Sequence, residues 1–347
     1  MKRKSIISTT VLTVIFFLTI PLVMAHAPLG TQDNESIDTA TIIPDPTKSW
    51  ALYSALNSDG DSQYYTFNIS SDQTIHVLMY KSLRLEDTNF NPVLVLMGQN
   101  VNATGDAPTK ITVPSGYNTQ LIHPTNPGPS YEPFSPGILA YLTDLTISNA
   151  PPGQYYLVVY EASSNPTGGH YGLAIGDRET YTIDEWILIP INLISIYQWE
   201  GQSLALVFAP MLVTLIVGLI LVGWRQRKQC DLANPMVWLA AVAGLTFVGT
   251  AASTFFQLLF GASQVSVGVD VVITIVFAAI PLILGLTTLR IALKNSPEAT
   301  VRKRIYFVVL GVAALFIWAG LIVGPILAIL ASAMPTNLKR KQKHELS

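Results

Sequence analysis

Hydrophobic and polar positions follow two different patterns along the chain, and the change falls near residue 180. In the first part, apolar and polar residues alternate over short runs that Gly, Pro, Asn and Asp separate. A period of two is typical of β-strands with one buried face. We predict strands at 63–69, 74–80, 92–97, 137–147, 154–160 and 171–175. Together these runs predict an all-β antiparallel sandwich within residues 26–178.

The second part contains long apolar runs instead of alternation. Residues 203–224 are 22 residues without a charged side chain, and at ~1.5 Å per residue they can cross a hydrocarbon layer ~30 Å thick. We predict transmembrane helices at about 203–224, 236–260, 269–289 and 305–333. The predicted fold is an exported all-β antiparallel sandwich followed by an all-α polytopic membrane domain, residues 203–334, of four transmembrane helices.

The fourth run leaves two arrangements open. It is 29 residues long, so we expect it to tilt or bend, with Gly324 and Pro325 as the bending point. Four full spans place the basic tail, residues 335–347, on the outside, against the positive-inside rule. A re-entrant segment that turns at 320–325 returns the tail to the cytoplasm. We expect four full spans, with the re-entrant segment as the alternative.

The joint between the two parts, residues 179–202, has its own pattern. Thr182 and Glu185 have the spacing of a capping box, which predicts the start of a helix. The apolar run 186–199 is too short to span a bilayer and contains Pro190. Its aromatic residues suit the membrane–water interface. We therefore predict an interfacial helix and linker here.

The N-terminus has the three regions of a secretory signal peptide. Basic residues at positions 2–4 precede an apolar run, and small residues lead up to Ala25. We expect residues 1–25 to be removed and His26 to become the first residue, with an uncleaved signal anchor as the alternative. Both arrangements predict a multi-pass protein of the plasma membrane whose N-terminal domain is extracytoplasmic.

Composition and charge agree with this topology. Charged residues are 12% of the chain, against ~25% in soluble domains. Residues 26–185 hold 17 acidic and 5 basic side chains, whereas the rest of the chain holds 5 acidic and 15 basic ones. An acidic exterior with basic loops argues against nucleic-acid binding. Cys230 is the only cysteine, so the exported domain has no internal disulfide.

Four motifs in the β part resemble the prokaryotic pre-peptidase C-terminal (PPC) β-sandwich. They are Asp-Asn-Glu-Ser-Ile-Asp-Thr-Ala at 33–40, Asp-Ser-Gln-Tyr-Tyr-Thr-Phe at 61–67, Pro-Gly-Gln-Tyr-Tyr-Leu-Val-Val at 152–159, and Tyr-Gly-Leu at 171–173. The resemblance covers roughly residues 33–176 and implies a non-catalytic accessory or binding module. The Pro-rich stretch 98–136 departs from the family pattern, and we predict one long loop there.

Candidate metal ligands fall into two groups. A processed His26 offers an α-amine and an imidazole for a copper chelate, with His76, His123 and His170 as conceivable third ligands; an ordinary exposed terminus is the alternative. Asp59 and Asp61 could supply oxygen ligands for Ca²⁺, with nearby acids at 33, 35 and 38. However, no complete calcium-loop spacing is present, and Asp-Gly is an ordinary turn signal.

Glycosylation sequons begin at Asn34, Asn68 and Asn102. No serine-hydrolase, zinc-protease or phosphate-loop motif is present, so we predict a non-enzymatic protein without a cofactor. The spans hold almost no ionisable residue, unlike proton-coupled pumps. We expect a membrane-anchored cell-envelope binding or accessory protein whose partners are the lipid bilayer and an envelope protein. Two alternatives are a copper-binding or oxidase-like subunit that uses His26, and a channel or transporter component.

Overall fold

The computed structural model describes residues 26–30, 33–71, 73–125, 128–228, 234–294 and 300–335. The predicted signal peptide, Cys230 and residues 336–347 of the predicted tail lie outside these ranges. All six predicted strands are confirmed, and the described residues contain others. The strands are β1 (Ala27–Pro28), β2 (Thr41–Ile42), β3 (Trp50–Leu56), β4 (Ser62–Ile69), β5 (Gln73–Ser82), β6 (Pro92–Gly98), β7 (Asn118–Ile122), β8 (Pro129–Glu132), β9 (Gly137–Ala150), β10 (Gly153–Glu161) and β11 (Gly169–Ile175).

The strands form two sheets that pack face to face. Sheet A has the order β1-β3-β11-β5-β9-β8, and sheet B has the order β2-β4-β10-β6-β7. The main core combines side chains of both sheets, including Leu52 and Leu173 from sheet A with Phe67 and Leu157 from sheet B. This two-layer arrangement is a β-sandwich, and we call it the sandwich below.

The sandwich is not purely antiparallel, which corrects the prediction. The pairs β1–β3 and β2–β4 are parallel, each over two residues. Parallel neighbours need a long connection rather than a tight turn. The chain from β1 to β3 and from β2 to β4 provides that length, because in each case another segment intervenes.

The stretch 98–136 is not one loop. It contains β7 and β8, which extend sheets B and A at their edges. Between β6 and β7 the chain crosses the outer face of sheet B, where Ile111, Val113 and Tyr117 pack against a cluster that includes Val95 and Val158. The Pro-rich stretch therefore supplies an outer cover for sheet B.

Six helices lie in the described part of the chain after the sandwich. They are α1 (Ile183–Trp199), α2 (Leu204–Lys228), α3 (Pro235–Ala262), α4 (Val271–Ala292), α5 (Val301–Phe316) and α6 (Val323–Ala333). The predicted capping box starts α1, because Thr182 and Glu185 bond to each other's backbone N–H groups. Helices α2, α3 and α4 are long and apolar enough to cross a membrane.

The prediction of a fourth full span is wrong. Residues 305–333 form two helices, α5 and α6, that pack antiparallel. A Cβ built on Gly311 of α5 would lie 2.9 Å from the Pro325 carbonyl of α6, and the Arg304 guanidinium donates to the Ser332 carbonyl. We call α5, residues 317–322 and α6 the helical hairpin. Its 16-residue first arm is about 24 Å long, shorter than the ~30 Å hydrocarbon layer.

The break also lies before the predicted bending point. Trp318, Gly320 and Leu321 have positive φ angles of 58°, 75° and 56°, which no α-helix allows. Pro325 is the third residue of α6, where its missing N–H is not needed. Gly324 and Pro325 therefore begin a helix rather than bend one.

Small residues allow close packing between the helices. A Cβ at Gly320 would lie 2.7 Å from Phe247 of α3, and one at Gly324 would lie 2.4 Å from the Thr246 hydroxyl. Likewise, a Cβ at Gly218 of α2 would lie 2.2 Å from the Leu245 side chain of α3. Glycine therefore favours these close contacts between apolar helices.

Candidate functional site

The outer face of sheet A is apolar and aromatic instead of polar. Tyr53 of β3 and Tyr80 of β5 have ring centroids 6.0 Å apart, and both lie edge-on to Trp199 at 5.1 and 6.1 Å. Trp199 belongs to α1, so the end of this helix covers the sheet. Gly172 of β11 makes room for the Tyr80 ring, which a Cβ would meet at 2.1 Å.

Polar contacts fix α1 to the sandwich at both ends. At its start, the Lys48 ammonium donates to both Glu185 carboxylate oxygens at 2.7 and 2.8 Å. At its end, Arg84 Nε donates to the Trp199 carbonyl at 2.7 Å, and Trp199 Nε1 donates to the Ser54 carbonyl at 3.0 Å. The helix is thus held across the outer face of sheet A.

The turn between β8 and β9 makes a second junction, with the spanning helices. The Tyr131 hydroxyl lies 2.9 Å from the Thr274 hydroxyl of α4, and that threonine donates to the Pro133 carbonyl at 2.6 Å. The Tyr131 ring also packs on α3, where a Cβ at Gly261 would approach it to 2.9 Å. The sandwich therefore rests on α3 and α4 as well as on α1.

Two backbone groups at the tip of the helical hairpin bond to neighbouring elements. The Gly320 N–H donates to the Thr250 hydroxyl of α3 at 2.8 Å, and Trp186 Nε1 of α1 donates to the Phe316 carbonyl at 3.0 Å. Irregular backbone at membrane depth is tolerated where it is buried in protein or lines a cavity. At this tip, Ala319 and Gly320 are buried in the protein, and Trp318 and Leu321 line a cavity.

A cavity of about 800 Å³ lies between these elements. Its walls are the outer face of sheet A, the β8–β9 turn, helices α1 to α4 and the hairpin tip. On the sandwich side the wall is aromatic and acidic, with Tyr53, Tyr80, Glu132 and Tyr141. On the membrane side it is apolar, with Val207, Phe208, Met211, Ile273, Phe277 and Pro281. The cavity is therefore amphipathic.

Helix α3 adds a row of uncharged polar groups to the wall. Thr250, Ser253, Thr254 and Gln257 all line the cavity. The Gln257 amide exchanges two hydrogen bonds with the Gln202 amide, at 2.8 and 2.9 Å. This amide pair joins the start of α2 to α3 at the cavity wall.

Two carboxyl groups meet near the β8–β9 turn. Glu132 accepts from the Tyr141 hydroxyl at 2.9 Å and from the Phe134 N–H at 3.1 Å. Glu200, just after α1, lies against Gly137, where a Cβ would be 2.2 Å from Glu200 Oε1; Gly137 is the register partner of Glu132. Burial, and then the charge of Glu132, raise the pKa of Glu200 to about 8. Burial likewise raises the pKa of Glu132.

The predicted histidine ligands lie apart from this cavity or at its edge. His26 lines it, and its Nδ1 hydrogen-bonds to the Ser49 hydroxyl. His76 contacts Asp177 and, at 3.1 Å, Asp144. His123 is exposed. No copper-type group of three such ligands that includes His26 occurs in the described ranges.

Within those same ranges, the cluster of three potential metal ligands is Glu86, Asp87 and His170. Its groups already bond within the protein. Arg84 pairs with Glu86 at 2.6 Å, and Asp87 accepts from the Ser82 hydroxyl at 2.9 Å and lies 3.1 Å from His170 Nδ1. We interpret it as support for the β5–β6 connection, which carries Arg84 to the end of α1.

The predicted calcium ligands and sequons lie on the sandwich surface, with one exception. Asp59 and Asp61 flank the Gly60 turn, and Asp61 accepts from the Asn57 amide at 2.6 Å. Asn68 and Asn102 are exposed. Asn34 is only 2% exposed and donates to the Tyr64 carbonyl, so a glycan there would have to break that contact.

Apart from His26, the residues of the cavity were not predicted from the sequence. Tyr53, Tyr80, Glu132 and Tyr141 come from four strands, and only tertiary docking brings them to the helices. One signal was available. From Trp186 to Trp224 the sole charged side chain is Glu200, and an isolated acid in an apolar stretch indicates a specific environment.

No protein-family model and no curated protein matches the chain. Solved structures that match include the pre-peptidase C-terminal domain of collagenase from Bacillus anthracis, with 18% identity, 41% of this chain and 96% of that chain covered, and a TM-score of 0.23. The copper-binding secreted protein MopE of Methylococcus capsulatus has 10% identity, 45% and 100% coverage, and a TM-score of 0.19.

A Bacillus thuringiensis Cry1Da tryptic core variant also matches, with 14% identity, coverage of 41% of this chain and 25% of that chain, and a TM-score of 0.18. All three TM-scores are below 0.5. None of these likenesses carries an inference about what this chain binds, and the chain is best described by its own architecture, a β-sandwich docked on apolar helices.

Proposed function

We propose that this chain is a membrane-anchored, non-catalytic protein of the cell envelope that binds an amphiphilic ligand of the lipid class between its sandwich and its helices. The observation that carries the proposal is the cavity of about 800 Å³. Ligand sites in proteins are concave, mostly apolar, and ~300–1,000 Å³ in volume, with a few polar groups that orient the ligand. This cavity has that size, and its wall is mostly apolar with a few polar groups.

The location of the cavity favours a ligand that comes from the bilayer. Helices α2, α3 and α4, the ones able to span a membrane, each contribute side chains to its wall. A lipid tail can enter between such helices without crossing water. The sandwich then covers the headgroup, which is the role of an accessory or binding module. A partner protein in the envelope would receive or supply the amphiphile.

The proposal places the sandwich outside the plasma membrane. The opposite ends of the helices carry the basic residues. Arg225 donates to the Leu293 carbonyl at 3.2 Å, and Lys303 donates to the Ala292 carbonyl at 3.4 Å, so two basic segments meet at the end of α4. Such clusters are retained in the cytoplasm. A membrane-impermeant maleimide should label Cys230 only after permeabilisation; labelling in intact cells would reverse the orientation.

Ligand binding can be tested by fluorescence quenching in dodecyl maltoside micelles. Trp318 lines the cavity, so a dodecyl maltoside analogue brominated at the tail should quench it, and a W318F variant defines the Trp318 signal. Ser253→Phe fills the cavity from α3 and should remove that quenching. Leu259→Phe, on the same helix at a site 56% exposed, should leave it unchanged. Equal quenching of the Trp318 signal in the wild-type chain, Ser253→Phe and Leu259→Phe would contradict the proposal.

A further inference from the structure

Glu132, which lines the cavity, and Glu200 beside it form no ion pair within the described ranges. Among the described residues, neither Glu132 nor Glu200 lies within 4.0 Å of a basic side chain. Glu200 Oε1 is shielded from solvent and has no hydrogen-bond partner. Partly buried acids that face each other without a cation are unfavourable, because burial and mutual repulsion both penalise the ionised forms. A bound cation would relieve both penalties.

The wall around Glu132 suits an organic cation rather than a metal ion. Tyr53, Tyr80 and Tyr141 line the cavity beside it, and the rings of Tyr80 and Tyr141 are 6.0 Å apart at an interplanar angle of 63°. Aromatic faces attract ammonium groups, and sets of rings at an angle recognise quaternary ammonium ligands. A bare metal ion would instead need several oxygen ligands in one shell, whereas both Glu132 oxygens already accept protein hydrogen bonds.

The apolar end of the cavity supplies the place for a hydrocarbon tail. Val207 and Met211 of α2 and Phe277 of α4 line it, together with Trp318 of the hairpin tip. The acidic wall belongs to the sandwich and the apolar wall to the membrane helices. A ligand with a charged head and one apolar tail can satisfy both walls in a single orientation.

We propose that the cavity selects amphiphiles with an ammonium headgroup, with the Glu132 carboxylate as the counter-ion and the three tyrosine rings around the cation. This inference rests on the proposed function and defines its ligand class. An anionic headgroup would face Glu132 and be repelled. A neutral sugar headgroup would find hydroxyl and amide partners but no charge, so it serves as the reference ligand.

The experiment compares two tail-brominated C12 probes in dodecyl maltoside micelles, one with a trimethylammonium headgroup and one with maltose. The quenching of Trp318 is measured as the mole fraction of the probe in the micelles is increased. The resulting curve gives the equilibrium constant for replacement of bound dodecyl maltoside by that probe. For the wild-type chain we expect the ammonium probe to exchange at least tenfold more favourably than the maltose probe. In Glu132→Gln the two probes should differ by less than twofold. Glu35→Gln, an exposed acid, should keep the wild-type preference.

The outcomes separate this inference from the proposed function. If the maltose probe quenches Trp318 but the ammonium probe has no advantage in the wild-type chain, the headgroup inference is wrong and cavity binding stands. If neither probe quenches the wild-type chain more than it quenches the W318F variant, both the headgroup inference and the proposed function are wrong. Maltose-probe quenching also reports whether Glu132→Gln has kept its cavity. If that variant does not fold, the wild-type ratio of the two probes still decides the matter.

Discussion

Trp186 and Trp318 hold each other across the junction between α1 and the helical hairpin. Trp318 Nε1 donates to the Trp186 carbonyl at 2.8 Å, and Trp186 Nε1 donates to the carbonyl of Phe316, two residues before Trp318, at 3.0 Å. Their ring centroids are 4.6 Å apart. Because α1 is also fixed to the sandwich, this pair couples the turn of the hairpin to the sandwich through one short helix.

Removal of either indole N–H should loosen the hairpin tip. We expect Trp186→Phe and Trp318→Phe each to cost about 1 kcal/mol, the usual net contribution of a hydrogen bond, and the double variant to cost less than the sum because the two indoles share one junction. The stabilities of the wild-type chain, the two single variants and the double variant, measured by thermal unfolding in detergent, form a double-mutant cycle. Trp224→Phe, at a site 61% exposed, is the control. Strictly additive effects would show that the two contacts are independent.

The Lys48–Glu185 pair should orient α1 on the sandwich. The side chains are only 11% and 21% exposed, so Lys48→Glu should cost about 2 kcal/mol, the scale of a charged hydrogen bond. The swapped variant Lys48→Glu with Glu185→Lys should recover part of this loss. Full recovery is not expected, because Glu185 also accepts from the Thr182 N–H at 2.8 Å. Faster cleavage of the 176–182 segment by added protease would show that the contact between α1 and the sandwich has weakened.

His76 should make stability depend on pH. Burial lowers its pKa, but the hydrogen bonds and charges of Asp177 and Asp144 outweigh burial and raise the pKa above its usual value of ~6.5. A raised pKa means that this stabilisation is complete below pH ~6.5 and is lost as the pH rises through the folded-state pKa. The wild-type Tm should therefore exceed that of His76→Gln at pH 6, and the difference should shrink by pH 9.

His123→Gln is the matched control for that titration, because His123 is an exposed histidine of the same domain. Its Tm should follow the wild-type value at both pH values. A difference between wild type and His76→Gln that stayed constant from pH 6 to 9 would contradict the assignment of the two carboxylates to a protonated His76.

Glu200 should destabilise the wild-type chain as the pH rises. Its folded-state pKa is raised to about 8, whereas the unfolded value is ~4.3. The neutral acid is therefore favoured in the folded chain, and the associated stability is lost between those two values. Glu200→Gln cannot ionise, so its Tm relative to wild type should increase from pH 5 to pH 8.5. Glu35→Gln should show no such trend, and a flat difference for Glu200→Gln would rule out the burial of this carboxyl.

Alternation predicted the strands well only where the two faces of a sheet differ in polarity. Strand β3 was not predicted, because its outward residues Ala51 and Tyr53 face α1 and the cavity rather than water, so the period of two is absent. Strands β7 and β8 were hidden for a different reason: they are short edge strands in a Pro-rich stretch. The spans at α2, α3 and α4 could be predicted from length and composition alone, and both are properties of the local sequence.

The cavity could not be predicted in the same way. Glu132 and Glu200 are brought together by the docking of α1 on sheet A, which depends on contacts such as Arg84 with the Trp199 carbonyl. Periodicity carries no information about such distant pairs. The helical hairpin could have been predicted, because the basic tail argued for a re-entrant segment. The length of the apolar run 305–333 favoured a full span instead.

The helical hairpin makes a prediction that does not depend on which side of the membrane is outside. With Cys230 changed to Ser, single cysteines at Ser263, Thr300 and Ala333 mark the end of α3, the start of α5 and the end of α6. Because α5 and α6 run antiparallel, 300 and 333 should be labelled from one side and 263 from the other. A fourth full span would place 333 with 263. Impermeant maleimide on intact cells and on inverted vesicles gives the two sides separately.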